Sequence, residues 1–231
     1  MITKKWPGVS SKELLVEWSL DQRYKHLHLP WRKSDTNNIT ASACYAYCLT
    51  AYLSYIDALT GKDISMCSGD YDSLFKDIFN EVDTEYGHHK KNTQEFFNKR
   101  KIPLSVKSKS FRNPNGAVAL QTIQQFLYES MIPIIAIVDP VALKHNAASP
   151  NSYHSVIVLG ITGEGYLLYN PNVDTGDEEV SVEHKVNFNR GWEKKVYEGI
   201  FLVKKGMRIQ VKKALAGVLT LDYFTGDEEN E

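Results

Sequence analysis

"HSVIVLGITGEGYLLYNPN", residues 154–172, contains two apolar runs separated by a turn signal. The first runs from His154 to Ile161 and the second from Gly165 to Tyr169, around Thr162-Gly163-Glu164 with its flanking glycine. Short apolar runs bounding a glycine-containing reversal predict an antiparallel hairpin. His154 would open the first strand, and Asn170 would follow the second, 170 − 154 = 16 residues later. In a hairpin turning at 162–164 these two positions lie nearly opposite each other. An amide oxygen at Asn170 can then accept from one imidazole nitrogen and leave the other facing a further partner.

Outward from the hairpin, the stranded pattern continues. "PIIAIV", residues 133–138, is a short continuous apolar run and reads as a buried strand, and Tyr197 to Val203 reads as another. Residues 207–224 are ambiguous and fit a strand followed by a short helix. Before residue 133 the period is helical. Ser10 or Ser11 caps a helix through Leu14, Leu15 and Trp18 that ends before Pro30. Cys44 to Leu59 forms a second, closed by Gly61. Asp70 to Tyr86 forms a third, with Leu74, Ile78 and Val82 four apart. Asn92 caps a short fourth, with Phe96 and Phe97 turned inward, which stops before Pro103; Val118 to Met131 is a fifth. A helical first half and an antiparallel second half predict an α+β fold with a cleft between the halves. The expected organisation is a partly helical N-terminal extension over 1–35, a main domain over 36–206, and a C-terminal segment over 207–231 with an acidic tail.

Composition bounds the function classes. The chain has 231 residues, 42% hydrophobic and 24% charged, with a formal net charge of −1. That balance offers no electrostatic reason to expect nucleic acid or an anionic membrane as partner. No apolar run approaches the roughly 18 residues that span a bilayer. The N-terminus turns polar at once and lacks the apolar core of a secretory signal. Three cysteines do not make a disulfide framework. The expectation is a reduced, cytoplasmic protein, or one exported without a recognisable signal.

One of those cysteines has a distinctive setting. In "NNITASACYAYCLTAYLSYI", residues 37–56, polar residues precede Cys44 and a tyrosine-rich apolar run follows it. With Ser42 as N-cap, Cys44 falls in the first turn, where unpaired N–H groups and the helix dipole stabilise a thiolate. A base must come from elsewhere in the chain, oriented by a third group; His154 with Asn170 answers that need. His145, in the loop before His154, is an alternative base without the strand context. Cys48, one turn deeper on the same side as Cys44, reads as packing, and Cys67 reads as a loop residue without a role. His88-His89 followed by Lys90-Lys91 reads as a solvated loop without metal-ligand spacing. His26 and His28 read as surface or packing residues, and His184 is as weak an alternative base as His145. The acidic run Asp174 to Glu179 reads as a solvated loop that would rim the cleft and favour basic substrates. No metal and no cofactor is expected.

These residues carry a resemblance. "CYAY" is similar to the nucleophile segment of papain-like cysteine peptidases, and "HSVIVLG" with "YLLYNPN" resembles their His and Asn segments. The order Cys, His, Asn is also theirs. The "MIPIIAIV" strand and the compact "YNPN" are similar to the bacterial branch that includes bacteriocin-leader peptidases, where Asp-Pro commonly replaces Asn170-Pro171. The resemblance covers roughly residues 36–204. It implies a papain-like fold, with a central nucleophile helix packed on a twisted antiparallel sheet. It also implies a catalytic triad of Cys44, His154 and Asn170 that needs no cofactor and acts on a protein or peptide substrate. The family places an oxyanion-binding glutamine six residues before the nucleophile; here 44 − 6 = 38 is Asn38, beside Asn37, and the usual glycine next to the nucleophile is missing. Cleavage of a peptide or isopeptide bond is the first reading. Acyl transfer or glutamine deamidation on a partner protein is the second, and a non-catalytic binding module that keeps the fold is the third.

Overall fold

The computed structural model describes residues 29–35, 43–82, 87–113, 115–119, 122–123, 126–127, 132–143, 153–161, 165–172, 179–205, 207–213 and 219–225. The fold is α+β. Helices α1 (Cys44–Thr60), α2 (Tyr71–Glu81) and α3 (His89–Arg100) come first. Strands β1 (Leu104–Ser110), β2 (Ile134–Val138), β3 (His154–Ile161), β4 (Gly165–Tyr169) and β5 (Val180–His184) follow. Helix α4 (Lys185–Lys195) then leads into β6 (Glu198–Lys204). Six strands form one antiparallel sheet in the order β1-β6-β2-β3-β4-β5. β7 (Met207–Lys213) and β8 (Leu219–Thr225) make a separate antiparallel pair.

Helix α1 organises the interior. Tyr45, Ala46, Tyr47, Cys48, Leu49, Thr50, Ala51, Tyr52 and Leu53 are all buried, so the helix is apolar around its whole circumference, as a central helix must be. Tyr45 and Tyr52 bury their rings and bond their hydroxyls. The Tyr45 hydroxyl pairs with Thr93 Oγ1 at 2.9 Å, and the Tyr52 hydroxyl donates to the Pro133 carbonyl at 2.7 Å. Helix α1 packs on β3, and α4 packs on β2. All five residues of β2 are buried, the mark of a strand covered on both faces. The Ile134 side chain of β2 packs directly on Gly199 of β6, where a Cβ would stand 2.1 Å from Ile134 Cγ2 and 3.1 Å from Phe111 Cε2.

The C-terminal end of α1 is closed by Gly61, which adopts φ 64° and donates its N–H to the Asp57 carbonyl at 2.8 Å. Upstream of α1, residues 29–35 form a strap across the core. Leu29 and Trp31 are buried. The Trp31 N–H reaches Ser54 Oγ at 3.3 Å, its indole N–H reaches Asp72 at 2.8 Å, and the Lys33 N–H reaches the Tyr169 hydroxyl at 3.1 Å.

Several expectations are revised. The cap of α3 is His88; Asn92 lies inside the helix and donates its amide to the Val82 carbonyl at 3.3 Å. Helix α2 ends at Glu81, with Asp70 as N-cap accepting from the Ser73 N–H. Val118 makes an isolated bridge with Arg112, and helix within 118–131 is described only at 122–123 and 126–127. Residues 207–225 hold two strands, with no short helix among the described residues. The helix expected before Pro30 falls on residues outside those described. Among the described residues, no helix is long and apolar enough to cross a membrane.

Candidate active site

His154 is the first residue of β3 and is buried, as is Asn170 just after β4. Their side chains meet: His154 Nε2 lies 2.7 Å from Asn170 Oδ1. The same oxygen accepts the Asn172 N–H at 3.1 Å, which fixes the amide's orientation. An amide oxygen only accepts, so Nε2 carries the hydrogen and Nδ1 is the nitrogen that can take up a proton. The two residues are not directly opposite. Ile157 pairs with Tyr169, and one further step sets Asn170 against Val156, with the register shifting between Val158 and Gly160. His154 is two residues from Val156, so it shares that face and reaches Asn170 diagonally. Without the shift Asn170 would stand against Ile157, on the other face; the shift sets it against Val156, on the face His154 shares.

Cys44 is the first residue of α1 and is partly exposed. The N-cap is Ala43, not Ser42, which lies outside the described residues. Ala43 has no side-chain acceptor, and the first turn, Cys44-Tyr45-Ala46-Tyr47, has no acidic residue. The field of the first turn is thus not offset by a local carboxylate. The course of α1 sets which end of the sheet Cys44 approaches. Cys48 Sγ donates to the Ser155 carbonyl at 3.3 Å, next to His154. Tyr52, a turn later, bonds the Pro133 carbonyl, at the opposite end of β2 from the Val138–His154 pair. Helix α1 therefore runs away from the His154 end of the sheet, and Cys44, about 5–6 Å of axis before Cys48, lies at that end. Cys48 is fully buried, as its packing role requires.

The remaining candidates divide. Asn38 lies outside the described residues, as do His26, His28 and His145. His184 caps α4, its Nδ1 accepting from the Val186 N–H at 3.3 Å. Of the His88-His89 pair, His89 is buried, contrary to a solvated loop, and its ring stacks on Tyr45 at 4.1 Å. It lines a cavity of about 240 Å³ with Lys90, Ser108, Ile137, Glu198 and Ile200. Stacking ties that cavity to the residue after Cys44. Burial pushes the Cys67 thiol up, disfavouring its thiolate.

Asp57, Asp63 and Cys67 bring possible ligand atoms within 4.8 Å of one another. Protein donors already face these carboxylates. Asp57 accepts from the Ile64 and Ser65 N–H groups and from the Ser65 and Tyr71 hydroxyls. Asp63 accepts from the Cys67 and Ser68 N–H groups. The cluster staples the loop after α1.

Glu179 departs most from the sequence reading. It belongs to an acidic run expected to be solvated, yet it is fully buried. The Ser34 N–H and hydroxyl donate to its two carboxylate oxygens, and its carbonyl accepts the Asn170 N–H at 2.6 Å. No local pattern in the sequence marks it; the start of β5 at Val180 brings residue 179 beside the strand that ends before Asn170.

No protein-family model and no curated protein matches the chain. Among solved structures, the chain is similar to a double-glycine-motif protease from an AMS/PCAT transporter, crystallised in complex with the leader peptide. The likeness has 15% identity and a TM-score of 0.40, covering 72% of this chain and 86% of that one. The site's chemistry therefore rests on its own geometry.

Proposed function

We propose that the chain is a thiol hydrolase of papain-like type that cleaves a peptide or isopeptide bond, with Cys44 as nucleophile, His154 as base and Asn170 as the group that orients the base. The observation that carries this reading is the buried 2.7 Å contact between His154 Nε2 and Asn170 Oδ1. It commits one ring nitrogen to a fixed acceptor and leaves Nδ1 for proton transfer. It stands at the sheet end that the N-terminus of α1 approaches, where Cys44 is partly exposed.

In this mechanism Nδ1 takes the Cys44 thiol proton, and the sulfur attacks the substrate carbonyl. The charge on oxygen is met by the Cys44 backbone N–H and by the amide of Asn38. The proton on Nδ1 then passes to the departing amine, leaving a thioester on Cys44. Water, activated by the same nitrogen, hydrolyses the thioester and restores the thiol. The cavity beside Tyr45 and His89, with an apolar wall from Ile137 and Ile200, gives a substrate side chain a place to dock. No step calls for a cofactor.

Labelling with iodoacetamide across pH tests the reading. Cys44 is expected to titrate well below the ordinary thiol value of about 8.5, and Cys44→Ala to abolish turnover of protein substrates. An ordinary titration with unchanged turnover would sink it and favour a non-catalytic module. Intact-mass analysis of the substrate separates cleavage from acyl transfer and from deamidation, since the thioester can pass to water or to an amine.

A further inference from the structure

The buried carboxylate of Glu179 is not used by the mechanism above. A charge withdrawn from water is costly unless its oxygens are matched by donors. Here one residue supplies both: the Ser34 N–H reaches Oε1 at 3.2 Å and the Ser34 hydroxyl reaches Oε2 at 2.8 Å. The two-point match restricts how residue 179 can rotate, so it also restricts the direction of its backbone carbonyl. That carbonyl accepts the Asn170 N–H at 2.6 Å, one rung beyond the Tyr169–Val180 pair that ends the β4–β5 ladder. The strap holds the other neighbour of Asn170 as well, because the Lys33 N–H donates to the Tyr169 hydroxyl at 3.1 Å. Burial, with the neighbouring Cys48 and Glu179, raises Tyr169 well above an ordinary phenol, so it stays neutral as that acceptor.

We infer that Glu179 is a positioning residue for the His154–Asn170 pair, and that Ser34 of the 29–35 strap holds it in place. The inference rests on the site proposed above. Contacts run in series: Ser34 fixes the Glu179 carboxylate, the Glu179 carbonyl fixes the Asn170 backbone, and Asn170 Oδ1 fixes His154 Nε2. The strap thereby sets the aim of the base without touching substrate. A purely space-filling residue at 179 would hold the core but not this alignment.

The test reads the His154 ring directly, in full-length protein labelled with ¹⁵N-histidine. The Nε2–H proton of His154, assigned with His154→Gln, is expected downfield and slow to exchange with water in the wild type. Ser34→Ala removes one donor, and Glu179→Gln turns one acceptor into a donor facing Ser34. Each is expected to shift that proton upfield and to speed its exchange by about tenfold or more, the scale of one weakened buried hydrogen bond. Ser34→Thr, which keeps the hydroxyl, is expected to restore the wild-type signal. Leu74→Ala, remote on α2, destabilises the core and should leave the signal in place. The inference is overturned if Ser34→Ala leaves the proton and its exchange within about twofold of wild type, or if Leu74→Ala moves it as far. If Glu179→Gln does not fold, the Ser34→Ala and Ser34→Thr pair decides alone. An unactivated Cys44 alongside a responsive His154 signal would fail the proposed function and leave this inference standing.

Discussion

The two ends of α1 are built on opposite principles. At its C-terminus everything is tied. Gly61 closes the helix in the left-handed region, the Thr60 hydroxyl bonds the Ile56 carbonyl, and Asp57 gathers four donors from the following loop and α2. At its N-terminus the cap is Ala43, with no side-chain acceptor, and the first residue is a partly exposed cysteine. With no side-chain cap and no acidic residue in its first turn, this end keeps a positive field that no carboxylate of the turn offsets. Under the proposed function, the same helix has a structural end and a chemical one.

That contrast is broken most decisively by two cysteine substitutions a single turn apart. Cys44→Ala is expected to lower turnover by on the order of 10⁴-fold or more, because members of such a triad act as a unit, with little change in Tm. Cys48→Ala should do the reverse. It empties part of a fully buried site and costs about 1–2 kcal/mol, while Cys44 still labels at the wild-type rate. Activity that survived Cys44→Ala would remove the chemical end altogether. Next in size is Asp57→Ala at the anchored end. It strands two backbone N–H groups and the Tyr71 hydroxyl, and at roughly 1–3 kcal/mol per orphaned donor it is expected to cost about 3 kcal/mol or more. Denaturant unfolding would measure the loss. Cys44 labelling in the folded fraction should be unchanged, and a parallel loss of labelling would mean the two ends are not separable.

Much of this contrast was readable in the sequence, and the unreadable part has a physical cause. The hairpin at 154–169, the buried strand at 134–138, helix α1 and its Gly61 stop all follow from period and turn chemistry. So does bringing His154 and Asn170 together, although the register shift between Val158 and Gly160, which sets Asn170 against Val156 and on the face of His154, could not be read from the sequence. β1 escaped because "LSVKSKS" buries only Leu104 and Val106, leaving a polar edge without a clear apolar run. β5 and α4 escaped for a related reason: in "KVNFNRGWEKK" only Phe188, Gly191 and Trp192 are buried, too few to mark a helical stripe. Glu179 was misread because local charge density argues for solvent. Its burial depends on Ser34, which is 145 residues away, and no local pattern carries that information.

Smaller effects sharpen the comparison at the anchored end. Gly61 stands at φ 64° with nothing within 4 Å of where a Cβ would be. Gly61→Ala therefore isolates the backbone cost of the left-handed region, expected at about 1 kcal/mol and visible as a modest fall in Tm. A drop several times larger would mean that the loop beyond Gly61 also moves.

The smallest expected effect is a dependence on acid. Asp63 is exposed, and partial desolvation raises its pKa. The Ser68 and Cys67 N–H groups, with the Ser65 and Ser68 hydroxyls, outweigh that and hold it below the ordinary carboxylate range. A carboxyl depressed in the folded state stabilises the fold fully above its unfolded pKa, about 3.9. That contribution fades as pH falls through the depressed folded value, because the unfolded chain binds the proton first. Stability measured from pH 7 to 5 should therefore be the same slope in wild type and in Asp63→Asn, with the two curves converging only below about pH 4. Asp63 bonds N–H groups of a loop in which Met66 and Ser68 hold positive φ, so acid should loosen residues 63–69 first. Hydrogen exchange at the Cys67 and Ser68 amides would register this, while Cys44 labelling, at the far end of α1, stays on its own titration curve. Loosening that spread to Cys44 in the same pH window would show one cooperative helix where the geometry argues for two independent ends.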